Sequence, residues 1–330
     1  MPSSSPYRRP EYPASGFTLQ PRDKAIVQSV FAHRVVRSDH VRDLLFPNTS
    51  MRVVQVRLRK LWEHRYLARY FLSKIFGVPE PAVVRPGQPI YGLDEAGVSL
   101  LAESDGEKAH ALQVGGNIGK LSLTSLEHHL IAADFLIAME LACIDCQNIR
   151  RIEVESEPVL WRKLCAWKAV GNRGRSVISD GAFTIVTANG DRLTYHVEIV
   201  RADVKGGNQR LIDKLALYAT LLREGFFKKA YGHEHVRAVI ITTTSDKRAR
   251  NLRELAQMLV HGRRLFWFGA YQTKDADDRN VSTINKDTIL AKRWDMIDSE
   301  SLSLGEAAAA SSRSQTLYTS PAISPLTLFP

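Results

Sequence analysis

The sequence predicts an α/β protein in two folded parts: a small helical unit with a strand hairpin, then a larger α/β domain with a central mixed sheet. Three observations predict it. Apolar residues recur at helical spacing three times between Pro21 and His64, and two short strand-like pieces follow. A polar, Gly-rich stretch at 104–120 then breaks the pattern as a linker would. Beyond it, helical and strand-like segments follow in the order α-β-β-β-α-β-α-β.

The first part spans 21–103. "PRDKAIVQSVFAHR" opens on a proline suited to a helix's first turn, and Ile26, Val27, Val30 and Phe31 form one apolar stripe. "SDHVRDLLF" offers Ser38 as the N-cap of a second helix. The third, in "NTSMRVVQVRLRKLWEHR", puts Val54, Leu58 and Leu61 on one face and turns Arg52, Gln55, Arg59 and Lys60 largely the other way. The strand-like pieces "YLARYFLS" and "PIYGL" and the helix "DEAGVSLLAE" complete the outline of a winged helix-turn-helix. In that outline the third helix reads DNA. Arg52, Gln55 and Arg59 suit base edges in the major groove, and Lys60, Arg65 and Arg69 suit phosphates. An ordinary solvated helix face is the competing account.

The second part spans 121–300. "SLEHHLIAADFLIAMELAC" is a strongly apolar helix with Glu127, His128 and His129 at its charged end, as candidates to join a site, and "IRRIEVESE" is a strand. "SVISDGAFTIVTANG" is a strand running into an Asn189–Gly190 turn, which joins it to "DRLTYHVEIV" as a hairpin. "NQRLIDKLALYATLLREGF" is a helix, "VRAVIITTT" a continuous apolar strand, "DKRARNLRELAQMLVHG" a helix and "RLFWFGA" a strand. The Pro/Ser-rich arm 1–20 and the low-complexity tail 301–330 read as disordered.

The hairpin brings Asp180 and Glu198 near each other. Paired carboxylates repel, and a divalent cation such as Mg²⁺ or Mn²⁺ relieves them. Such an ion can activate water against a phosphodiester. This is the logic of a restriction-endonuclease-like core, which places an acid on one strand and acid-x-Lys on the next. The lysine position here is Val200, so Lys214 on the following helix is the candidate substitute and Lys205 a poorer one. Each residue also has a structural account. Asp180 can be a turn residue before Gly181, Glu198 can pair with Arg201 or a helix lysine, and Lys214 can reach solvent from a helix surface.

These segments resemble the plasmid replication-relaxation protein family, whose members join a winged helix to a restriction-endonuclease-like domain. The resemblance rests on "VRLRKLWEHRYLAR", "PIYGLDEAGVSLLAE", "LEHHLIAADFLIA", "SDGAFTI", "YHVEIVRADV" and "DKLALYATL". It implies a DNA-acting role tied to plasmids or integrated mobile elements. A transcription regulator with a degenerate nuclease fold and an active Mg²⁺-dependent endonuclease are the two alternatives.

Composition fits these readings. A net charge of +10 and a pI near 9.6 favour an anionic partner, with duplex DNA foremost. A homodimer and replication or conjugation proteins are the other candidate partners. The absence of a run of about 18 apolar residues predicts no membrane span. An N-terminus without an apolar core and only three cysteines fit the cytoplasm. Cys143 and Cys146 read as core thiols rather than a zinc or redox pair, and "HEH" at 233–235 lacks an evident fourth ligand for zinc. "GNRGR" (171–175) suits either phosphate contact or a turn, and the lack of a Walker-type loop argues against ATP use.

Overall fold

The computed structural model describes residue 9 and residues 16–71, 88–105, 122–144, 146–201, 207–259, 264–274, 280–282, 286–296, 301–304 and 306–307. Most of the expected arm, the linker from 106, Lys205 and the tail from 308 lie outside the described residues.

Three helices open the chain: α1 (Pro21–His33), α2 (Ser38–Leu45) and α3 (Met51–Glu63). Strands β1 (Val36–Arg37), β2 (Leu67–Tyr70) and β3 (Ile90–Leu93) make a small antiparallel sheet in the order β1-β3-β2, and α4 (Glu95–Asp105) follows. The apolar stripes close on one core, with Ile26, Val30, Val54, Leu58 and Leu61 at 2% exposure or less. Buried Asp23 on α1 is paired by Arg57 of α3, which satisfies a carboxylate that burial alone would penalise. The stretch before α1 is not wholly loose. Phe17 stacks on His64 with centroids 4.3 Å apart, and Arg9 pairs with Asp94 at 2.5 Å.

The second part is a three-layer sandwich. Its elements are α5 (Leu123–Cys143), β4 (Ile149–Ser156), α6 (Glu157–Ala169), β5 (Gly181–Thr187), β6 (Arg192–Val200), α7 (Gly207–Arg223), β7 (Val236–Thr243), α8 (Asp246–Leu259) and β8 (Phe266–Ala270). The short strands β9 (Gln272–Lys274) and β10 (Asn280–Ser282) pair with each other, and β11 (Arg293–Met296) and β12 (Ser301–Ser303) extend the main sheet. Seven strands run in the order β12-β11-β8-β7-β6-β5-β4. β6, β7 and β8 are parallel; the remaining pairings are antiparallel. α5 covers one face with Phe135, Leu136 and Met139. α6, α7 and α8 cover the other with Leu160, Leu215 and Leu252.

Two features differ from the sequence expectation. α6 stands between the first two strands where no helix was expected, opening after Ser156 and burying Leu160 and Leu164 at helical spacing. The folded part also passes residue 300. Ser301 and Leu302 of β12 pair with Asp295 and Trp294, so the tail expected from 301 does not begin there.

The two parts share a helix. Ala133 and Ile137 of α5 belong to the first part's core, while Phe135 and Leu136 belong to the second's. Asp134, between them, accepts from Arg37 at 2.6 Å and lies 2.7 Å from His40. Arg34 bonds Glu157 at 2.7 Å. Among the described residues no helix is long and apolar enough to cross a membrane.

Candidate functional site

β6 explains the acid in its middle. Tyr195, Val197 and Ile199 point into the α5 layer, and by alternation Thr194, His196 and Glu198 point toward α6 and α7. Both faces are covered, so Glu198 is 4% exposed and depends on the helix above it. α7 supplies two donors one turn apart. Lys214 Nζ lies 2.7 Å from Glu198 Oε2, and the Tyr218 hydroxyl donates to Oε1 at 2.5 Å.

Asp180 stands across the hairpin from Glu198. Gly181 pairs with Val197 in the antiparallel register, and the Asp180 N–H donates to the Val197 carbonyl at 3.0 Å, so the next position outward opposes Glu198. The Asp-Gly step here begins a strand. A Cβ on Gly181 would come within 2.9 Å of Leu136, so glycine lets β5 approach α5 closely. That approach sets α5's first turns beside Asp180. His128 Nε2 lies 3.0 Å from Asp180 Oδ1, while Oδ2 accepts the Ile199 N–H at 2.7 Å.

The charges follow from these neighbours. Burial pushes the Glu198 carboxyl up to about 7, against the pull of Lys214 and with a further push from Asp180. Burial also raises Asp180, but His128, Lys214 and the Ile199 N–H outweigh it and hold the carboxyl below its ordinary value. Burial disfavours the His128 imidazolium, yet Asp180 raises its pKa. Burial, Arg34 and His128 depress His129 to about 3. Arg201 bonds Glu127 at 2.7 Å and the Thr124 carbonyl at 2.5 Å.

A divalent ion does not fit this arrangement as it stands. Each of the four carboxylate oxygens of Asp180 and Glu198 already has a protein donor. An ion between them would lie against the Lys214 ammonium, whose charge opposes it. Among the described residues no group of three or more His, Cys, Asp or Glu could hold a metal. The "HEH" segment does not converge: His233 is buried while Glu234 and His235 are exposed. Cys143 is buried, and burial pushes its thiol up to about 12, which suits a packed thiol.

On α3, Arg52, Gln55, Arg59 and Lys60 are all exposed, and so is Arg65 just beyond it. Arg59 pairs with Glu63 at 2.8 Å, and Arg65 with Glu95 at 3.3 Å. Arg69 is half-buried, its guanidinium 3.6 Å from the centroid of the Trp62 ring. The same face carries two apolar residues that sequence reasoning passed over, Val53 and Val56, at 56% and 51% exposure. Tyr218 was also overlooked as a donor, since its spacing on α7 matches the apolar stripe.

A family model described as replication-relaxation matches residues 27–236. Comparisons with curated proteins and with solved structures gave no match.

Proposed function

The chain belongs to the replication-relaxation family, and on that premise we propose that it binds duplex DNA of a plasmid or integrated mobile element through α3. The three helices and the β2–β3 hairpin are read as a winged helix, with α3 in the major groove. The observation that carries this is the outer face of α3, where Arg52, Gln55, Arg59 and Lys60 are exposed beside Val53 and Val56. A solvated helix face has no use for two exposed valines. A groove-reading face does, because apolar side chains meet thymine methyl groups.

The second part is read as a restriction-endonuclease-like scaffold whose acid and lysine set neutralises itself. What supports this is the pairing of Glu198 with Lys214 and of Asp180 with His128. The role is then to position or regulate complexes on DNA in the cytoplasm, as a homodimer or with replication or conjugation proteins. The endonuclease reading keeps one observation in its favour, the approach of Lys214 to Glu198 opposite Asp180.

Gel-shift titrations at two salt concentrations test the main reading. Arg52→Ala or Arg59→Ala should weaken specific binding by about 1–3 kcal/mol. Lys60→Ala should weaken all sequences alike and flatten the salt dependence. Val53→Asp should abolish specific binding with the fold intact. Unchanged affinity in all four removes the DNA-reading role of α3. Plasmid nicking with Mn²⁺ that disappears in Glu198→Gln would instead establish the endonuclease.

A further inference from the structure

The outer face of α6 carries an aromatic ring that the core does not use. Leu160, Leu164 and Trp167 form the inner stripe of the helix and pack inward. Trp161 stands about 100° round the helix from Leu160 and is 41% exposed. Cys165 and Ala169, on the same outer side, are exposed and small, so they leave the ring uncovered. Lys168, also exposed, follows on that side two turns later, about 10 Å along the axis. Val170, just past the helix, is 79% exposed.

The "GNRGR" loop that follows is anchored to the end of this helix. Gly171 takes the left-handed conformation at φ 91°, and its N–H donates to the Lys168 carbonyl at 3.0 Å. The Asn172 side-chain amide donates to the Trp167 carbonyl at 2.8 Å. A Cβ on Gly174 would lie 3.9 Å from the Trp167 ring, which packs edge-on against Phe226. Arg173 stands exposed between these two anchors. The Trp167 and Lys168 carbonyls, whose partial negative charge would repel an anion, are both occupied.

The charge here is one-sided. Residues 157–175 hold Arg162, Lys163, Lys168, Arg173 and Arg175 against one acid, Glu157. Glu157 is engaged by Arg34, and the neighbouring acids Glu155 and Glu224 are engaged by Lys163 and Arg175. Among the described residues Lys168 and Arg173 have no carboxylate partner. An exposed indole thus shares one surface with two cations that nothing in the fold neutralises.

We propose that the outer face of α6 and the loop after it bind single-stranded nucleic acid, with an unpaired base stacked on Trp161 and the backbone phosphates on Lys168 and Arg173. The ring selects a single strand over a duplex. Paired bases hide their ring faces in the stack and present only edges and backbone, whereas an unpaired base presents its π-face whatever its identity. The cations select a polyanion over a second copy of this chain. A two-fold contact would set the patch against itself, and Lys168 and Arg173 would meet like charge. This inference goes beyond the reading of α3 as a duplex reader and does not depend on it.

Fluorescence anisotropy of a labelled oligothymidylate with the full chain tests the proposal, beside a labelled hairpin duplex. Trp161→Ala should weaken oligothymidylate binding about tenfold, the loss of one stacked base, and Trp161→Phe, which keeps an aromatic face, should retain most of the affinity. Lys168→Ala and Arg173→Ala should each flatten the dependence of log affinity on log salt by about 0.7, one phosphate contact on a single strand. Val53→Asp on α3 should leave oligothymidylate binding unchanged, so failure of the α3 reading and failure of this one are read separately. No oligothymidylate binding by the wild-type chain, or wild-type affinity in Trp161→Ala with native circular dichroism, would overturn the proposal. An equal loss on the hairpin would make α6 a duplex contact and overturn it too. So would self-association that Trp161→Ala abolishes while oligothymidylate affinity stays the same, since α6 would then be a contact between copies. Should Trp161→Ala fail to fold, a double variant carrying Lys168→Glu and Arg173→Glu decides: it should lose oligothymidylate binding, and retained affinity overturns the proposal.

Discussion

Lys214 Nζ and Glu198 Oε2 lie 2.7 Å apart, joining α7 to the middle of β6. Glu198 is almost wholly buried, whereas Lys214 is about one third exposed. The pair is therefore asymmetric: removing the lysine leaves a buried acid with Tyr218 and no cation. Lys214→Met should destabilise the fold by about 2 kcal/mol, less than for a fully buried pair because solvent reaches the ammonium. Adding Glu198→Gln to Lys214→Met should recover most of that loss, since no charge then remains to be satisfied. Urea unfolding of the two single variants and the double variant measures the coupling; additive losses would mean that the pair contributes nothing.

The raised pKa of Glu198 makes a signed prediction about pH. Its carboxyl titrates at an ordinary 4.5 when unfolded and near 7 when folded. Between those values the folded state holds more protons, so its contribution is fully present below pH 4.5 and is lost as pH rises through about 7. The loss amounts to about 3 kcal/mol across the window. His129, depressed to about 3, acts the other way, removing stability as pH falls below its ordinary 6.5. Comparing wild type with Glu198→Gln cancels the histidine. The variant should gain on wild type as pH rises from 4.5 to 7, read from denaturant midpoints at fixed ionic strength. A constant difference would contradict the raised value.

The lysine also stands where a cation would. Mg²⁺ should leave the melting temperature of the wild-type protein unchanged. In Lys214→Ala the two carboxylates lose their ammonium, and Mn²⁺ should raise the melting temperature by linkage, by about 2.7 kcal/mol of stability at a hundredfold excess over its dissociation constant. Scanning calorimetry with and without the ion reads both. A cation-dependent rise already present in wild type would restore the metal-centre reading of Asp180 and Glu198.

At the junction, Asp134 is held by Arg37 and His40. Asp134→Ala leaves Arg37 without its nearest carboxylate, and about 3 kcal/mol should be lost. A protease cut within 106–121 should not release the first part, because α5 continues its core. The fragments should co-elute from a sizing column under native conditions and separate in urea. Release without denaturant would show that the junction is weak.

Much of this architecture was legible in the sequence because it is local. The Asn189–Gly190 turn fixes the register of β5 on β6, and that register alone places Asp180 opposite Glu198. The stripes of α1 and α3 gave the first core for the same reason. Helix α6 escaped because strand-like "IRRIEVESE" runs directly into it, and the apolar positions it packs into the core are Leu160, Leu164 and Trp167. Strand β12 escaped because three residues in a low-complexity context carry no period.

The site was less legible than the fold. His128 was a candidate by its place at the start of α5, but its partner Asp180 lies 52 positions on, where Leu136 packs closely on Gly181. Tyr218 looked apolar because a buried tyrosine serves both purposes, filling the core with its ring and satisfying an acid with its hydroxyl.

Helix α5 belongs to both cores, and on the proposed DNA-binding reading this would constrain several copies on one duplex. A module joined by a loose tether lets its partner domain swing to any side of the duplex. With α3 in the major groove as proposed, the azimuth of the seven-stranded sheet about the DNA axis would be set by the seating of α3. Neighbouring binding sites then differ in phase as well as distance. Spacing them by whole helical turns, about 10.5 base pairs each, would align successive sheets on one side of the duplex, and half a turn more would put them on opposite sides.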